Sequence, residues 1–269
     1  MALTDGLVSY WKLNENAANT DVDDSHGASD GTASTNTNNL SVAGKISTAF
    51  EFNGSTEYVE FGDNAAFSID NTSGLSFNFW AKSAVVGAGN RALSKGSANP
   101  NFEYEMYYTS NTVMCYIFTN AGGTIANYGS AGNIASDTGW RMVTVTMNDS
   151  LNELRVYING TEVGNDTTWS AAAVGAAHPL EIGRRGTGYW AGIMDELGVW
   201  NRVLTPTEIT SLYNGGSGLA YPFSTGTNCQ VNIGDSWKAI SAAQINIGDS
   251  WKAVEGMQIN IGDVWKTIF

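Results

Sequence analysis

Two arginines and two aromatic residues lie close together in one glycine-rich segment of the sequence. The segment runs from Gly183 to Trp190 and also contains Arg184, Arg185 and Tyr189. Sugar recognition combines an aromatic platform with a few well-placed polar groups, and this segment supplies both. We therefore predict that the two arginines, Tyr189 and Trp190 contact a ligand. The alternative is a hairpin turn whose arginines pair with neighbouring acidic residues.

Acidic residues are concentrated near the N-terminus, in the run from Asp21 to Gly27. Side-chain oxygens of this kind are the ligands that a calcium ion prefers. The run is not an EF-hand loop, because Gly27 lies one position late and Thr32 occupies the twelfth position. Calcium is the predicted metal, and a solvated acidic loop without an ion is the alternative.

The residue pairs that would indicate an enzyme are missing. A glycoside hydrolase needs two carboxyl groups on either side of the scissile bond. Asp195 and Glu196 are adjacent, so in a regular strand they point to opposite faces. Glu103 and Glu105 share a face but lack a third acid. Neither His26 nor His178 lies near a plausible serine or cysteine partner in sequence, and no Cys/His cluster indicates zinc. We predict no enzymatic activity.

Composition excludes several classes of partner. The chain has 269 residues, of which 14% are charged and 31 are glycine, and its formal net charge is −13. So acidic a chain is not expected to bind nucleic acid or an anionic membrane surface. With only two cysteines, Cys115 and Cys229, a disulfide framework is not expected. Neither a secretory leader nor an apolar run of about 18 residues is visible, so no membrane span is predicted.

Most of the chain is predicted to form short strands. Leu75, Phe77 and Phe79 alternate with polar residues, which is the period of a half-buried strand. Asn159-Gly160 is a strong signal for a type I′ hairpin turn. Because many turns separate the strands and no long helices alternate with them, we predict an all-β, antiparallel two-sheet sandwich.

One short helix is predicted near the end of this region. Thr205 is the expected N-cap and Pro206 the first helical residue, and Glu208 completes a capping box. The Asn214–Gly216 run ends the helix. We expect a two-turn element that packs on the sandwich.

A series of motifs follows one order along residues 5–222. They are Gly6–Glu15, Asp24–Gly27, Ala49–Gly54, Leu75–Trp80, Leu154–Gly160, Ala191–Trp200 and Arg202–Ile209. Their types and order resemble the laminin-G-like, concanavalin A-like jelly-roll domain. The resemblance implies a two-sheet jelly roll that mainly binds sugars or proteins, without indicating which. It also implies a structural calcium ion, for which we nominate Glu15, Asp24, Asn53 and Asp195.

The C-terminus contains three copies of one short sequence. The copies begin at Gln230, Gln244 and Gln258, and each contains Asn-Ile-Gly-Asp followed by Trp-Lys. Each copy is predicted to be a β-hairpin with Gly-Asp in the turn, because glycine there permits a positive φ. The domains predicted are thus a jelly roll (1–222), a linker (223–228) and three hairpin repeats (229–269).

The tryptophans of the repeats have two open interpretations. Trp237, Trp251 and Trp265 either join the isoleucines in a small core or form docking sites for sugars or a partner. The repeats also resemble short Trp-Lys repeats at the ends of phage tail and other virion proteins. That resemblance implies a module that anchors or oligomerises the chain, with a trimer as the expected state.

Together these features predict a non-enzymatic virion structural or adhesion protein of a phage tail, fibre or capsid surface. Its expected partners are other virion proteins and surface glycans, and its expected location is a virion assembled in the host cytoplasm. The alternative is the carbohydrate-binding module of a secreted or cell-surface protein, which places it outside the cell. Calcium is the only cofactor expected.

Overall fold

The chain divides into two compact units, residues 1–221 and 222–269, which are described separately. In the first unit and the start of the second, the computed structural model describes residues 2–69, 74–84, 90–96, 102–109, 112–118, 124–129, 139–167 and 177–223. Beyond them it describes the backbone of six strands, within residues 229–267.

Short strands make up most of the first unit, as the turn-rich sequence predicts. They are β1 (Leu7–Trp11), β2 (Asp21–Val22), β3 (Gly31–Ala33), β4 (Ser41–Ala43), β5 (Thr48–Asn53), β6 (Val59–Glu60), β7 (Leu75–Ser83), β8 (Asn90–Gly96), β9 (Phe102–Thr109), β10 (Thr112–Phe118), β11 (Thr124–Gly129), β12 (Arg141–Asn148), β13 (Glu153–Ile158), β14 (Thr161–Asp166), β15 (Leu180–Ile182), β16 (Arg184–Arg185), β17 (Gly188–Tyr189) and β18 (Ala191–Trp200). The helices are α1 (Thr37–Leu40) and α2 (Pro206–Tyr213), and 3₁₀ turns cover Ala65–Phe67 and Asn214–Gly216.

Two eight-stranded antiparallel sheets form the sandwich. Sheet A has the order β14-β13-β12-β7-β18-β5-β4, with β1 paired to β18. Sheet B has the order β11-β10-β9-β8-β15-β6-β3-β2. The separate hairpin β16–β17 lies in the connection between β15 of sheet B and β18 of sheet A. The predicted all-β jelly-roll sandwich is confirmed.

The core lies between the inner faces of the two sheets. Phe77 and Phe79 of β7 are fully buried there, opposite Val145 and Val143 of β12. The ring of Phe77 lies 5.0 Å from that of Tyr104 on sheet B, measured between centroids. The prediction that the alternating apolar residues of β7 face the core is therefore correct.

The polar positions of β7 are also buried, although the alternation indicated a half-buried strand. Ser76 has no exposed surface because the chain after β18 covers the outer face of sheet A. Its hydroxyl donates to the carbonyl of Arg202 at 2.6 Å and accepts the N–H of Leu204 at 3.0 Å. On the same face, the ring of Trp80 stacks on that of Tyr213 at the end of α2. This part of sheet A is thus closed to solvent.

Helix α2 begins with the predicted capping box. The hydroxyl of Thr205 accepts the N–H of Glu208, and the carboxylate of Glu208 accepts the N–H of Thr205 at 2.9 Å. The guanidinium of Arg202 donates to the same carboxylate at 2.7 and 2.9 Å. Although partial burial opposes the charge, these hydrogen bonds lower the pKa of Glu208 to about 2. The helix ends at Asn214, which has a left-handed backbone.

A bulge interrupts β18 in the middle of sheet A. The register with β7 slips between Asp195 and Gly198, and Glu196 has a φ of +54°. Regular alternation at Asp195 and Glu196 is therefore lost, and both side chains are buried.

The C-terminal unit contains three separate two-stranded sheets with matching registers. Their strands are β19 (Cys229–Asn232), β20 (Trp237–Ile240), β21 (Gln244–Ile247), β22 (Ser250–Ala253), β23 (Gln258–Ile261) and β24 (Val264–Thr267). In each hairpin an asparagine faces the tryptophan and a valine or isoleucine faces the lysine.

In the register of the three hairpins, Trp237, Trp251 and Trp265 face Asn232, Asn246 and Asn260. The side chains of Trp237, Trp251 and Trp265 lie outside what the structure describes, so their role stays a prediction.

Candidate functional site

Hairpin β16–β17 is formed by the segment whose arginines and aromatics the sequence singled out. Arg184 pairs with Tyr189, and Arg185 with Gly188. The hairpin lies on the outer face of sheet B, because the carbonyl oxygen of Arg184 accepts the hydroxyl of Ser94 on β8 at 3.0 Å. We call this surface, with the side chains around the hairpin, the hairpin face.

A row of polar residues crosses the outer face of sheet B under this hairpin. Strand register places its members side by side, one per strand from β3 to β10: Thr32, Glu60, Glu181, Ser94, Glu105 and Tyr116. The middle of the row is covered, since Ser94 and Glu181 are only 1% and 3% exposed. The hairpin therefore lies over the centre of the row and leaves its two ends open.

Three arginines neutralise the three glutamates of this row. Arg184 forms an ion pair with Glu181 and lies 3.7 Å from Glu60. On the other side of the hairpin, Arg185 donates to Glu105 at 2.6 Å, and Arg91 lies 3.3 Å from the same carboxylate oxygen. The alternative of arginines paired with neighbouring acids is therefore observed. The pairs hold both guanidinium groups of the hairpin in fixed positions.

Aromatic rings are found at both open ends of the row. Arg91 lies over the ring of Tyr107 at 4.2 Å, and that ring stacks on Tyr116 with centroids 5.6 Å apart. The two tyrosine hydroxyls are 3.3 Å apart, and partial burial raises the pKa of Tyr107 to about 12. At the other end, Arg184 lies 3.4 Å from the ring centroid of Tyr58. Planar cations and rings are thus layered at each end.

A shallow pocket opens beside Tyr58. It has a volume of about 170 Å³ and is lined by Thr32, Ala33, Ser34, Tyr58 and Glu60. Its wall combines hydroxyl groups, one carboxylate and one aromatic ring. Convergent polar groups beside a ring are the kind of lining that fixes a sugar in one orientation.

The two aromatic residues of the predicted ligand loop occupy different environments. Tyr189 is partly exposed on the hairpin. Trp190 is fully buried in the core, with its ring centroid 4.8 Å from that of Tyr108. A ring with no exposed surface offers nothing to a ligand in this structure, so we assign Trp190 to the core. Ligand contact by Arg184, Arg185 and Tyr189 stays a prediction.

The four residues nominated for calcium each bind backbone N–H groups. Asp24 accepts from Tyr10, His26, Gly27 and Ser29, and these hydrogen bonds lower its pKa although burial opposes them. Asn53 accepts from Ser55 and Thr56, Glu15 from Asp23, and Asp195 from Lys45 and Ile46. In the described part of the chain, no group of three or more His, Cys, Asp or Glu side chains is placed to hold a metal ion. Calcium binding stays a prediction.

The acidic pair at the bulge lies inside the protein. Asp195 and Glu196 are 0% and 2% exposed, and burial raises their pKa values to about 8 and about 7. The carboxylate of Glu196 accepts the hydroxyl of Tyr10 at 2.6 Å. Neither group can reach a substrate. Cys115 is a buried free thiol.

Sequence reasoning missed most of the hairpin face. Arg91, Tyr107, Tyr116, Glu60 and Tyr58 come from separate strands, and only the pairing of those strands brings them together. The alternation of Glu105 and Tyr107 along β9 was a signal for one shared face. No helix in the described residues is long and apolar enough to cross a membrane.

Comparison with known proteins identifies one family. The profile described as the concanavalin A-like lectin/glucanases superfamily matches residues 53–210, which is more than half of the chain. No curated protein matches this chain.

Several solved structures share this fold. The binding domain of paraclostridial mosquitocidal protein 1 superimposes with a TM-score of 0.62 and 16% identity, over 80% of this chain and 53% of that one. The binding domain of botulinum neurotoxin DC in complex with SialylT gives 0.62 and 14%, over 80% and 52%. Domain 4 of the arabinanase AbnA from Geobacillus stearothermophilus, in complex with arabinotriose, gives 0.58 and 18%, over 76% and 96%. The chain thus spans about half of the two toxin domains.

Proposed function

Because the chain belongs to the concanavalin A-like lectin/glucanase superfamily, we propose that it is a non-catalytic domain that binds glycans through the hairpin face. The observation that carries this proposal is the layered arrangement of arginines and tyrosines at both open ends of the polar row. Fixed guanidinium donors beside aromatic rings recognise sugars without new ordering of side chains, which lowers the entropic cost of binding.

The same surface is unsuited to glycoside hydrolysis. Glu60 and Glu181 oppose each other on neighbouring strands, but Arg184 lies against both carboxylates. Glu105 is held between two arginines. A glycosidase needs one carboxyl group that carries a proton and a second placed across the scissile bond. On this face each glutamate instead acts as the partner of an arginine.

Substitution of Arg185 tests the proposed surface. Arg185→Ala is expected to weaken glycan binding by about 10-fold or more, because a hydrogen bond from a charged group contributes roughly 1.5–3 kcal/mol. The measurement is a glycan array followed by titration calorimetry of the glycans that bind. Arg155→Ala is the matched control, since Arg155 is likewise paired with glutamate, in its case Glu153 and Glu162, but lies on sheet A. Equal losses in both variants, or none in either, would contradict the assignment.

We further propose that the C-terminal repeats anchor or oligomerise the chain, as in a virion adhesion protein. Support comes from the three hairpins, each a separate two-stranded sheet, because such a sheet is only marginally stable alone. Association with one another, with other copies or with a partner supplies the missing burial. A carbohydrate-binding module of a secreted or surface protein is the alternative, and it needs only the hairpin face.

Light scattering distinguishes the virion adhesion protein from the carbohydrate-binding module. The full chain is expected to form a trimer or larger assembly, and a chain that ends at Phe223 is expected to be a monomer. The first unit has its own core, so the shortened chain should keep its thermal transition and its glycan binding. If both chains are monomers, the repeats do not oligomerise the protein and the carbohydrate-binding module is favoured.

A further inference from the structure

A lysine is completely buried inside the sandwich. Lys95, near the end of β8, has no exposed side-chain surface. It faces Tyr104 on β9 and Leu180 on β15, and both of these side chains are fully buried as well. Because a buried charge is costly unless it is paired, the amino group of this lysine requires partners inside the protein.

Two carboxyl groups contact this amino group. The Nζ atom of Lys95 donates to Oδ1 of Asp63 at 2.9 Å and lies 3.5 Å from Oε2 of Glu103. It also donates to the carbonyl of His178 at 2.9 Å. The side chain of Glu103 has no exposed surface, whereas that of Asp63 is 45% exposed. The amino group therefore lies between an enclosed carboxyl group and one that is open to solvent.

A bulge in β9 brings Glu103 to the lysine. The register between β8 and β9 shifts directly after Lys95, and Glu103 is the additional residue of β9 at this point. Its carboxylate accepts the N–H of Ile69 at 2.5 Å and the hydroxyl of Ser68 at 3.1 Å. These hydrogen bonds hold the carboxylate in one position beside the amino group.

The three side chains are those that amide formation between an amine and an acid requires. One supplies the nucleophile, one the carboxyl carbon, and one can move protons between them. Because Nζ is 2.9 Å from Oδ1, it is at most one bond length further from Cγ of Asp63. Well-oriented groups of this kind reach effective molarities of about 10⁵–10⁸ M. We infer that Lys95 and Asp63 form an intramolecular isopeptide bond, with Glu103 as the catalytic residue.

The reaction is a condensation that releases one water molecule. Glu103 accepts one proton from the Nζ ammonium group and passes it to the carboxylate of Asp63. The lone pair of Nζ attacks Cγ, so that an N–C bond forms and one C–O bond breaks. The departing oxygen leaves with that proton and a second one from the nitrogen. One N–H remains in the amide, Glu103 is a carboxylate again, and no oxidant or cofactor is consumed.

Burial favours the product over the ion pair. In their ionised forms the three side chains carry one positive and two negative charges, and after the reaction only the charge of Glu103 remains. Enclosing charged groups costs free energy even when they are paired. The exposed side of Asp63 gives the released water a path to solvent. The bond ties β8 to the connection between β6 and β7, and it constrains the unfolded chain as a disulfide does.

Mass spectrometry of the denatured full chain tests this inference. The intact mass is expected to be lower by one water molecule than the sequence requires, with or without Met1. Trypsin does not cut after an acylated lysine, so it should release fragment 92–141 with Lys95 inside it. This fragment should remain joined to fragment 46–82, which contains Asp63. A bond to Glu103 instead would lie within fragment 92–141 and leave fragment 46–82 separate.

Two variants test the roles of the carboxyl groups. Asp63→Ala should abolish the cross-link and still fold, because this side chain is partly exposed. Glu103→Gln should slow the loss of water by about 100-fold or more, since an amide cannot relay the proton. Intact mass measured over time after cell-free synthesis gives this rate. Glu196→Gln, on a buried glutamate of sheet A, is the matched control and should form the cross-link at the wild-type rate.

The wild-type result decides the inference even if a variant does not fold. A wild-type mass that equals the sequence value, with trypsin cutting after Lys95, overturns the isopeptide bond and leaves a buried ion pair. A cross-link that forms at the wild-type rate in Glu103→Gln overturns the catalytic role of Glu103. Near-UV circular dichroism verifies that each variant used for a rate is folded.

Discussion

The sandwich is expected to lose several kcal/mol of stability when the pH is raised from about 5 to about 9. The cause is the buried pair at the bulge of β18. Burial raises the pKa of Asp195 to about 8, against the backbone hydrogen bonds from Ile46 and Lys45. Burial likewise raises the pKa of Glu196 to about 7. The hydrogen bond from Tyr10 and the positive charge of Lys12 only partly offset this shift.

The direction of the pH effect follows from the direction of both pKa shifts. In the unfolded chain the two groups ionise near 3.8 and 4.5, whereas in the fold they keep their protons to higher pH. Their contribution to stability is therefore complete below about pH 4 and is lost as the pH rises through about 7 and about 8. Each charge also disfavours the other, so the two losses are coupled.

Denaturant unfolding at several pH values measures this effect. Asp195→Asn should make the profile flatter, since the amide oxygen can still accept the N–H groups of Lys45 and Ile46. Asp24→Asn is the matched control, because the pKa of Asp24 is lowered and its contribution is lost towards acid pH instead. A wild-type profile that is level between about pH 5 and about pH 9 would show that the pair does not titrate in this window.

Trp190→Ala is expected to destabilise the sandwich by about 3–5 kcal/mol, which is the usual cost of removing a large buried aromatic side chain. The indole has no exposed surface and packs edge-on against the ring of Tyr108. The substitution leaves a cavity in the core. The loss of stability should therefore appear in unfolding experiments with the free protein, before any ligand is added.

Tyr189 provides the comparison, since it is the next residue along and is partly exposed. Tyr189→Ala should leave the free energy of unfolding within about 1 kcal/mol of wild type, and any effect should fall on glycan affinity. The reverse pattern, with a stable Trp190→Ala protein that has lost glycan binding, would return Trp190 to the ligand site.

Local signals in the sequence predicted the local parts of the fold. Asn159 and Gly160 have φ values of +51° and +80°, as a type I′ turn requires, and they join β13 to β14 with two residues. The capping box at Thr205 and Glu208 also formed as predicted. In both cases the determining contacts lie within a few residues, so composition and spacing are sufficient.

The candidate site depends on contacts that spacing does not encode. Glu105 and Arg185 are 80 positions apart and meet only because β8, β9 and β15 are paired in one register. The bulge at Asp195 is equally invisible, since a single inserted residue changes which side chains face the core. The burial of Trp190 could not be predicted either, because aromatic type alone does not tell a surface ring from a buried one.

The position of the hairpin has a consequence for how this surface can change over evolutionary time. Arg184 and Arg185 belong to a connection between the sheets, not to the ladders of either sheet. Substitutions in this short segment can change the charge of the neighbouring surface while the hydrogen bonds of both sheets remain intact. Related lineages are therefore expected to diversify here first, and to keep Trp190 as the fixed anchor of a variable loop.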